Sequence, residues 1–253
     1  MSEVSAIILA AGKGTRMNSD APKVLHEVCG RPMLAYVLEA CHAVGCERPI
    51  VVIGHEAPLV RSAFEHLDDR VVWVEQAEQL GTGHAVMACR EHLDGVGGAV
   101  LVLAGDGPLL RTETLRRLIA GHDEERAALT LATSILPDPR RYGRILRDAD
   151  GGLLGIVEYL DATDEQRRIN EVNVSMYCFD AADLRDVLPR LTDDNAKKEY
   201  YLTDALGLLR RMGRRVSALP AVPADEVLGI NTPEELARVD RILHARLDAG
   251  SAT

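Results

Sequence analysis

The stretch "SAIILAAGKGTRMNSDAPKVLH", Ser5 to His26, decides how the rest of the chain is read. An apolar run, Ser5 to Ala11, passes without a polar break into a loop that holds Gly12 and Gly14 together with Lys13, Arg16 and Lys23. Glycines let a backbone turn tightly and bring its N–H groups close to a ligand, while cationic side chains beside them neutralise a polyanion, so the combination points to phosphate. Two common phosphate loops do not fit. A G-x-x-x-x-G-K-[ST] loop fails because Gly14 is followed by Thr15 and Arg16, and a dinucleotide fingerprint fails because Met17 stands where a third small residue belongs.

Outward from this loop, short apolar runs alternate with amphipathic stretches. Strands are expected at Ser5–Ala11, Pro49–His55, Val71–Gln76 and Ala99–Asp106, and helices at Met33–Val44, Pro58–His66 and His84–Leu93. That alternation implies an α/β fold with a parallel sheet covered on both faces, in which ligands bind at the carboxyl ends of the strands. The motifs fall there: the glycine loop follows the first strand, "QAEQLGTGHA" the third and "GDGPLL" the fourth. The second half differs. "YGRILRDADGGLLGIVEYLDA" (Tyr142 to Ala162) reads as a hairpin, "DATDEQRRI" as helix-like and "EVNVSMYCFD" as a strand. Helices near Ala181–Leu191 and Leu202–Met212 and a strand "VSALPAV" lead into a closing helix, with Asn231 or Thr232 at its cap and Pro233 in its first turn. Without an internal repeat or a Pro/Ser-rich linker, residues 1–253 read as one domain, a nucleotide half of about 1–110 and a substrate half of about 111–253.

At 253 residues the chain is long enough to bury a core without disulfides or metal. A net charge of −10 argues against a nucleic-acid polymer as partner, because affinity for one rests on neutralising many phosphates. A single nucleotide needs only a local cationic cluster. No apolar window is long enough to cross a bilayer, and the N-terminus lacks the basic start of a signal peptide, so a cytoplasmic protein without a membrane partner is expected. The five cysteines form no C-x-x-C pair and the eight histidines lack zinc-site spacing, so buried thiols and loop or cap histidines are expected instead of a transition-metal site.

The opening "LAAGKGTRM" followed by Pro22-Lys23 resembles the signature of the nucleotidyltransferases that join a nucleoside triphosphate to a sugar phosphate. The resemblance continues in order through "QLGTGHAV", "GDGPL", "YGRI", "GIVE", "EVN", "EYYLTD" and "GINTPEEL", over nearly the whole chain, and is strongest to the uridylyltransferases acting on N-acetylglucosamine 1-phosphate. It implies a Rossmann-like, mixed and mostly parallel sheet flanked by helices, of the nucleotide-diphospho-sugar transferase (GT-A-like) type. It implies UTP and a sugar 1-phosphate as substrates, pyrophosphate as the second product and Mg²⁺ as cofactor; a homo-oligomer stays open. Carried over position by position, Arg16 faces the β and γ phosphates and Lys23 the α-phosphate. Asp106 and Asn231 hold the metal, although alone they read as a turn residue and a helix cap. Leu9, Ala10, Ala11, Gly12, Gly14, Gln76, Gly81, Thr82 and Gly105 surround the nucleotide; the glycines of "LGTG" leave room for the base, and the Gln76 amide suits the edge of uracil. Gly143, Glu158, Asn173, Tyr201 and Thr203 line the sugar pocket.

The chain departs from the family pattern at Ala104 (tyrosine in the family), Gly107 (valine), Leu160 (lysine) and Val174-Ser175 (threonine-glycine), all expected on the sugar side. The family enzyme usually continues into a left-handed β-helix of hexapeptide repeats that carries an acetyltransferase; this chain ends at Thr253 without such a repeat, as a one-activity protein or an excised fragment would. Two other readings stay open: a nucleotidyltransferase for another triphosphate or another phosphorylated acceptor, such as a molybdopterin or polyol phosphate, and a non-catalytic nucleotide sensor. The sensor reading predicts loss of Arg16, Lys23 or Asp106, and all are present.

Overall fold

Apolar runs buried on both faces form the centre of the molecule, which a computed structural model describes for residues 3–17, 19–219 and 222–249. The strands are β1 (Val4–Leu9), β2 (Glu27–Val28), β3 (Arg31–Pro32), β4 (Ile50–Ile53), β5 (Val72–Glu75), β6 (Ala99–Ala104), β7 (Leu129–Ile135), β8 (Arg144–Arg147), β9 (Leu153–Val157), β10 (Glu171–Asp180) and β11 (Val216–Leu219). The helices are α1 (Met33–Ala43), α2 (Ala57–Ala63), α3 (Thr82–Met87), α4 (Arg90–Leu93), α5 (Thr112–Glu125), α6 (Asp164–Arg167), α7 (Ala181–Val187), α8 (Asp204–Arg211) and α9 (Pro233–Asp248). The main sheet runs β11-β7-β10-β6-β1-β4-β5, with β8 on β10 and β9 on β8. Strands β6, β1, β4 and β5 are mutually parallel, β11 is parallel to β7, and β10 is antiparallel to both β6 and β7. This is the mixed, mostly parallel sheet flanked by helices that the sequence implied.

Strand periodicity explains the two covered faces. Ala6 and Ile8 of β1 and Leu101 and Leu103 of β6 pack with Leu34 and Val37 of α1 and Leu115 of α5. Their neighbours Ile7, Val100 and Val102 point the other way, into a core shared with Val86 of α3, Leu184 of α7 and Leu206 of α8. Each buried Ile or Leu contributes roughly 1.5–3 kcal/mol relative to an exposed one, so the sheet centre holds the fold and leaves the strand ends free for chemistry. A third cluster joins Val239 and Leu243 of α9 to Met17, Met33 and Leu109, which pins the closing helix beneath the glycine loop.

Several elements differ from expectation. The first strand ends at Leu9 and not at Ala11, although Ala10 still donates to the Val52 carbonyl at 2.8 Å. The helix expected at His84–Leu93 is two short pieces, α3 and α4, and "DATDEQRRI" supplies the single turn α6, closed by a reciprocal cap between Thr163 and Gln166. Of "VSALPAV", Val216–Leu219 form β11, while Pro220 and Ala221 lie outside the described residues. Between residues 111 and 141 the sequence pattern names no element, yet α5 and β7 lie there. Both faces of β7 are buried, and hydroxyls interrupt the apolar pattern on each: Thr130, Thr133 and Ser134 are at most 2 % exposed. They are satisfied by His122 Nδ1 at 3.1 Å, the Glu171 carboxylate at 2.8 Å and the Val222 carbonyl at 2.7 Å.

Candidate active site

The glycine loop folds back over the ends of β1 and β6. Gly14 has φ +62°, and a Cβ there would stand 2.7 Å from Lys23 Cβ, so only glycine lets the lysine stem pass this close. Met17 N–H donates to the Gly14 carbonyl at 2.8 Å, closing the single turn that carries Arg16. Gly105 N–H donates to the Leu9 carbonyl at 2.9 Å, holding the turn after β6 beside the loop and setting Asp106 opposite Lys23. The Lys23 ammonium forms an ion pair with the Asp106 carboxylate and donates to Asn231 Oδ1 at 2.8 Å. Arg16 Nη2 donates to the same oxygen at 2.8 Å, so side chains as far as 215 residues apart in sequence meet at one point. Asn231 is not the helix cap: Thr232 Oγ1 accepts from Glu235 N–H at 3.2 Å and takes that duty. Glu235, which sequence reasoning did not single out, accepts from Asn231 N–H at 2.8 Å and pairs with Arg140 at 2.7 Å, and thereby orients the asparagine.

The oxygens of Asp106 and Asn231 converge on a cation already, since the ammonium of Lys23 bonds both. A carboxylate and an amide oxygen are hard donors of the kind Mg²⁺ takes, with phosphate oxygens and waters supplying the other ligands. Among the described residues no group of three or more His, Cys, Asp or Glu side chains could hold a metal ion, so the protein offers this point one carboxylate and one amide oxygen, and waters or phosphate oxygens would complete the shell. The residues fit Mg²⁺ on those terms.

The segment expected to select the base has a tighter construction than its glycines suggest. Gly81 adopts φ +106°, and a Cβ there would lie 2.6 Å from the Tyr200 carbonyl; at Gly83 it would lie 2.8 Å from Leu191 and 2.9 Å from the same carbonyl. The space that these glycines free is therefore filled by "EYYLTD". Gly83 N–H donates to Tyr200 O at 2.7 Å, and Leu202 N–H to Thr82 Oγ1 at 3.1 Å. Gln76 is 4 % exposed, and its amide nitrogen lies 3.1 Å from the Gly81 carbonyl and 3.0 Å from His84 Nδ1. His84, read from sequence as a loop or cap residue, thus fixes the glutamine. Gly12 meets nothing within 4 Å of its missing Cβ, and Ala10 and Ala11 are buried beside it.

The expected sugar residues gather on the side of the sheet that α8 covers. Thr203 Oγ1 donates to Glu158 Oε1 at 3.1 Å, and a Cβ on Gly143 would stand 3.3 Å from that carboxylate oxygen. Burial pushes the Glu158 carboxyl above its ordinary range, against the lowering effect of the Thr203 hydroxyl. Burial also pushes the Tyr201 phenol up to about 12, with Asp161, Glu199, Glu158 and Asp204 adding to it. Asn173 has a duty that the sequence did not reveal: its Nδ2 donates to the Tyr177 hydroxyl at 2.6 Å and its Oδ1 accepts from Ser175 N–H at 3.2 Å. It holds the irregularity in β10 where Ser175 takes φ +56°, and its own N–H donates to Gly143 O at 2.9 Å. Arg144, also unforeseen, is 1 % exposed; its guanidinium donates to the carbonyls of Tyr142, Arg140 (2.8 Å) and Arg167 (3.2 Å), which sets the backbone around Gly143.

A cleft of about 760 Å³ is lined by Arg16, Asp106 and Asn231 but by none of Gly143, Glu158, Asn173, Tyr201 or Thr203, so the structure does not bring it together with the expected sugar residues. Ala104, Gly107, Val174 and Ser175, four of the positions that depart from the family pattern, line it, whereas Leu160 is 51 % exposed at the surface.

The chain matches the family described as MobA-like NTP transferase domain over residues 6–200. It is 46 % identical to the bifunctional protein GlmU of Syntrophotalea carbinolica across 97 % of its own length and 52 % of the relative. It is likewise 46 % identical to that of Geobacter metallireducens (98 % and 52 %) and 47 % to that of Thermobifida fusca (96 % and 51 %). The chain thus spans about half the length of the curated relatives it matches. Among the described residues no helix is long and apolar enough to cross a membrane.

Proposed function

Since the chain belongs to the MobA-like NTP transferase family and is a nucleotidyltransferase, we propose that it transfers the uridylyl group of UTP to N-acetylglucosamine 1-phosphate, giving UDP-N-acetylglucosamine and pyrophosphate. The observation that carries the reading is the meeting of Arg16, Lys23, Asp106 and Asn231 at the carboxyl end of β1 and β6. The order of motifs along nearly the whole chain supports the uridylyl and sugar assignments.

In the reaction an oxygen of the sugar phosphate forms a bond to the α-phosphorus, and the bond from that phosphorus to the β-phosphate oxygen breaks, its electron pair leaving with pyrophosphate. The attacking oxygen is already anionic, so no general base is needed. The barrier is repulsion between two polyanions, and what lowers it is alignment together with positive charge where negative charge builds. Lys23 neutralises the α-phosphate and Arg16 the departing β and γ phosphates. Asp106 and Asn231 would hold Mg²⁺, which when bound neutralises and orients phosphate oxygens. Leu9, Ala10, Ala11, Gly12, Gly14 and Gly105 form the nucleotide floor, and Gln76, its amide nitrogen engaged by Gly81 and His84, presents the amide oxygen to the uracil N3–H beside Gly81 and Thr82. Glu158 and Thr203 accept and donate to sugar hydroxyls, with Gly143, Asn173 and Tyr201 shaping the pocket. The 1–253 segment acts in this as one unit.

A different sugar 1-phosphate is the one rival that a specific observation favours, because Ala104, Gly107, Val174 and Ser175 converge on one cleft next to Asp106. Pyrophosphate release, measured with Mg²⁺ while five nucleoside triphosphates are crossed with a panel of sugar 1-phosphates, separates the two. Release with UTP and N-acetylglucosamine 1-phosphate is expected; release only with another pair would replace that assignment.

A further inference from the structure

We propose that Lys23 is the resident cation of the metal site, and that the free protein therefore takes up a divalent ion weakly until nucleotide phosphate draws the lysine away. The inference rests on the assignment of Asp106 and Asn231 as metal ligands. Three contacts carry it. The Lys23 ammonium pairs with the Asp106 carboxylate, bonds Asn231 Oδ1 at 2.8 Å, and shares that oxygen with Arg16 Nη2, also at 2.8 Å. Both oxygens that a divalent cation would use thus already face protein cations, and its approach to that point meets like charge. The lysine is well placed to stay: its side chain is 13 % exposed, and its stem lies against Gly14, where any Cβ would collide with it.

A triphosphate changes the balance. It offers several anionic oxygens against the single Asp106 carboxylate and the neutral Asn231 amide oxygen, and as the two cations turn to phosphate, Asp106 and Asn231 are released to the metal. Nucleotide and metal then favour one another's binding, and by linkage the factor is the same in both directions, typically about 5–150-fold for coupled sites. Lys23 in this scheme does two things in sequence: it keeps the carboxylate neutralised when the site is empty of nucleotide, and it stabilises phosphate when the site is full.

The test is a titration of the full chain with Mn²⁺ alone, without nucleotide, read by electron paramagnetic resonance. Lys23→Met keeps the packed stem and removes the charge, and is expected to bind Mn²⁺ at least about ten-fold more tightly than the unaltered protein, while Lys23→Arg, which keeps the charge, stays weak. Lys23→Gln, which is shorter and polar, gives the same reading should the methionine variant fold poorly. Equal affinity in the unaltered and neutral variants would overturn the inference. Adding Asp106→Asn to Lys23→Met should abolish the gain; a gain that survives this second change would show that the ion sits elsewhere, and would overturn the metal assignment itself.

Discussion

The two sides of the site are built by different physics. At the glycine loop, Lys23, Arg16, Asp106 and Asn231 are held by ion pairs and charged hydrogen bonds between segments distant in sequence. On the α8 side, the Glu158 carboxylate bonds the Thr203 hydroxyl and stands against Gly143, while Lys197, Asp161 and Asp204 act on it only through space. Charge placed against charge suits phosphoryl chemistry, where the transition state differs from the ground state mainly in where negative charge lies. A half-buried acceptor and donor pair suits recognition of neutral hydroxyls. The contrast separates a region that should govern turnover from one that should govern acceptor binding.

The largest effect should come from the charged side. Lys23→Ala is expected to lower kcat by about 10²–10³-fold, as removal of one well-placed donor does elsewhere, with UTP affinity changed far less. Steady-state kinetics beside equilibrium UTP binding decide it, and unchanged turnover would remove the lysine from the chemistry. Asp106→Asn should cost about 10²-fold and raise the metal concentration needed for half-maximal rate. A variant as active as the unaltered protein at low metal would mean that the ion is held by other groups.

On the α8 side the effects should be smaller and fall on the acceptor. Glu158→Gln replaces a charged acceptor by a neutral amide, which should raise KM for the sugar phosphate about ten-fold and leave that for UTP alone. Because burial holds the Glu158 carboxyl above its ordinary range, it takes up a proton at a higher pH than an exposed glutamate. Acceptor KM should be flat above that pKa and climb as pH falls through it, and Glu158→Gln should remove the climb. A KM for UTP that moves equally would erase the distinction between the two sides. Gly81→Ala acts on stability and least on turnover: positive φ and the Tyr200 carbonyl 2.6 Å from the new Cβ should cost more than about 1 kcal/mol in denaturant unfolding. No loss would mean that the 81–83 segment and "EYYLTD" separate readily.

Much of the layout was legible because period-two burial and strand–helix alternation are local signals. Ile7 and Ile8, pointing to opposite cores, announce a two-faced sheet from adjacent letters. What stayed hidden depends on partners remote in sequence. Strand β7 hides behind buried Thr130, Thr133 and Ser134, whose hydroxyls make sense only once His122, Glu171 and Val222 are in place. Asn231 and Thr232 were equal candidates for one cap until the helix assigned it to Thr232 and left the asparagine to the two cations. The small size of Gly81 and Gly83 was legible, but not its use, which is to admit the backbone of Tyr200. Arg144 carried no signal at all within "YGRI", because its acceptors are carbonyls and not a carboxylate.

The most direct test of the division between a cation-bearing catalytic edge and a recognition pocket on the α8 side is ³¹P nuclear magnetic resonance of the full chain with Mg²⁺, UTP and N-acetylglucosamine 1-phosphate, run in parallel on Lys23→Ala and Glu158→Gln. The expected result is equimolar UDP-N-acetylglucosamine and pyrophosphate from the unaltered protein, almost none from Lys23→Ala at any acceptor concentration, and recovery of Glu158→Gln as acceptor is raised. Unchanged UTP in every sample, or a Lys23→Ala protein rescued by acceptor while Glu158→Gln is not, would contradict it.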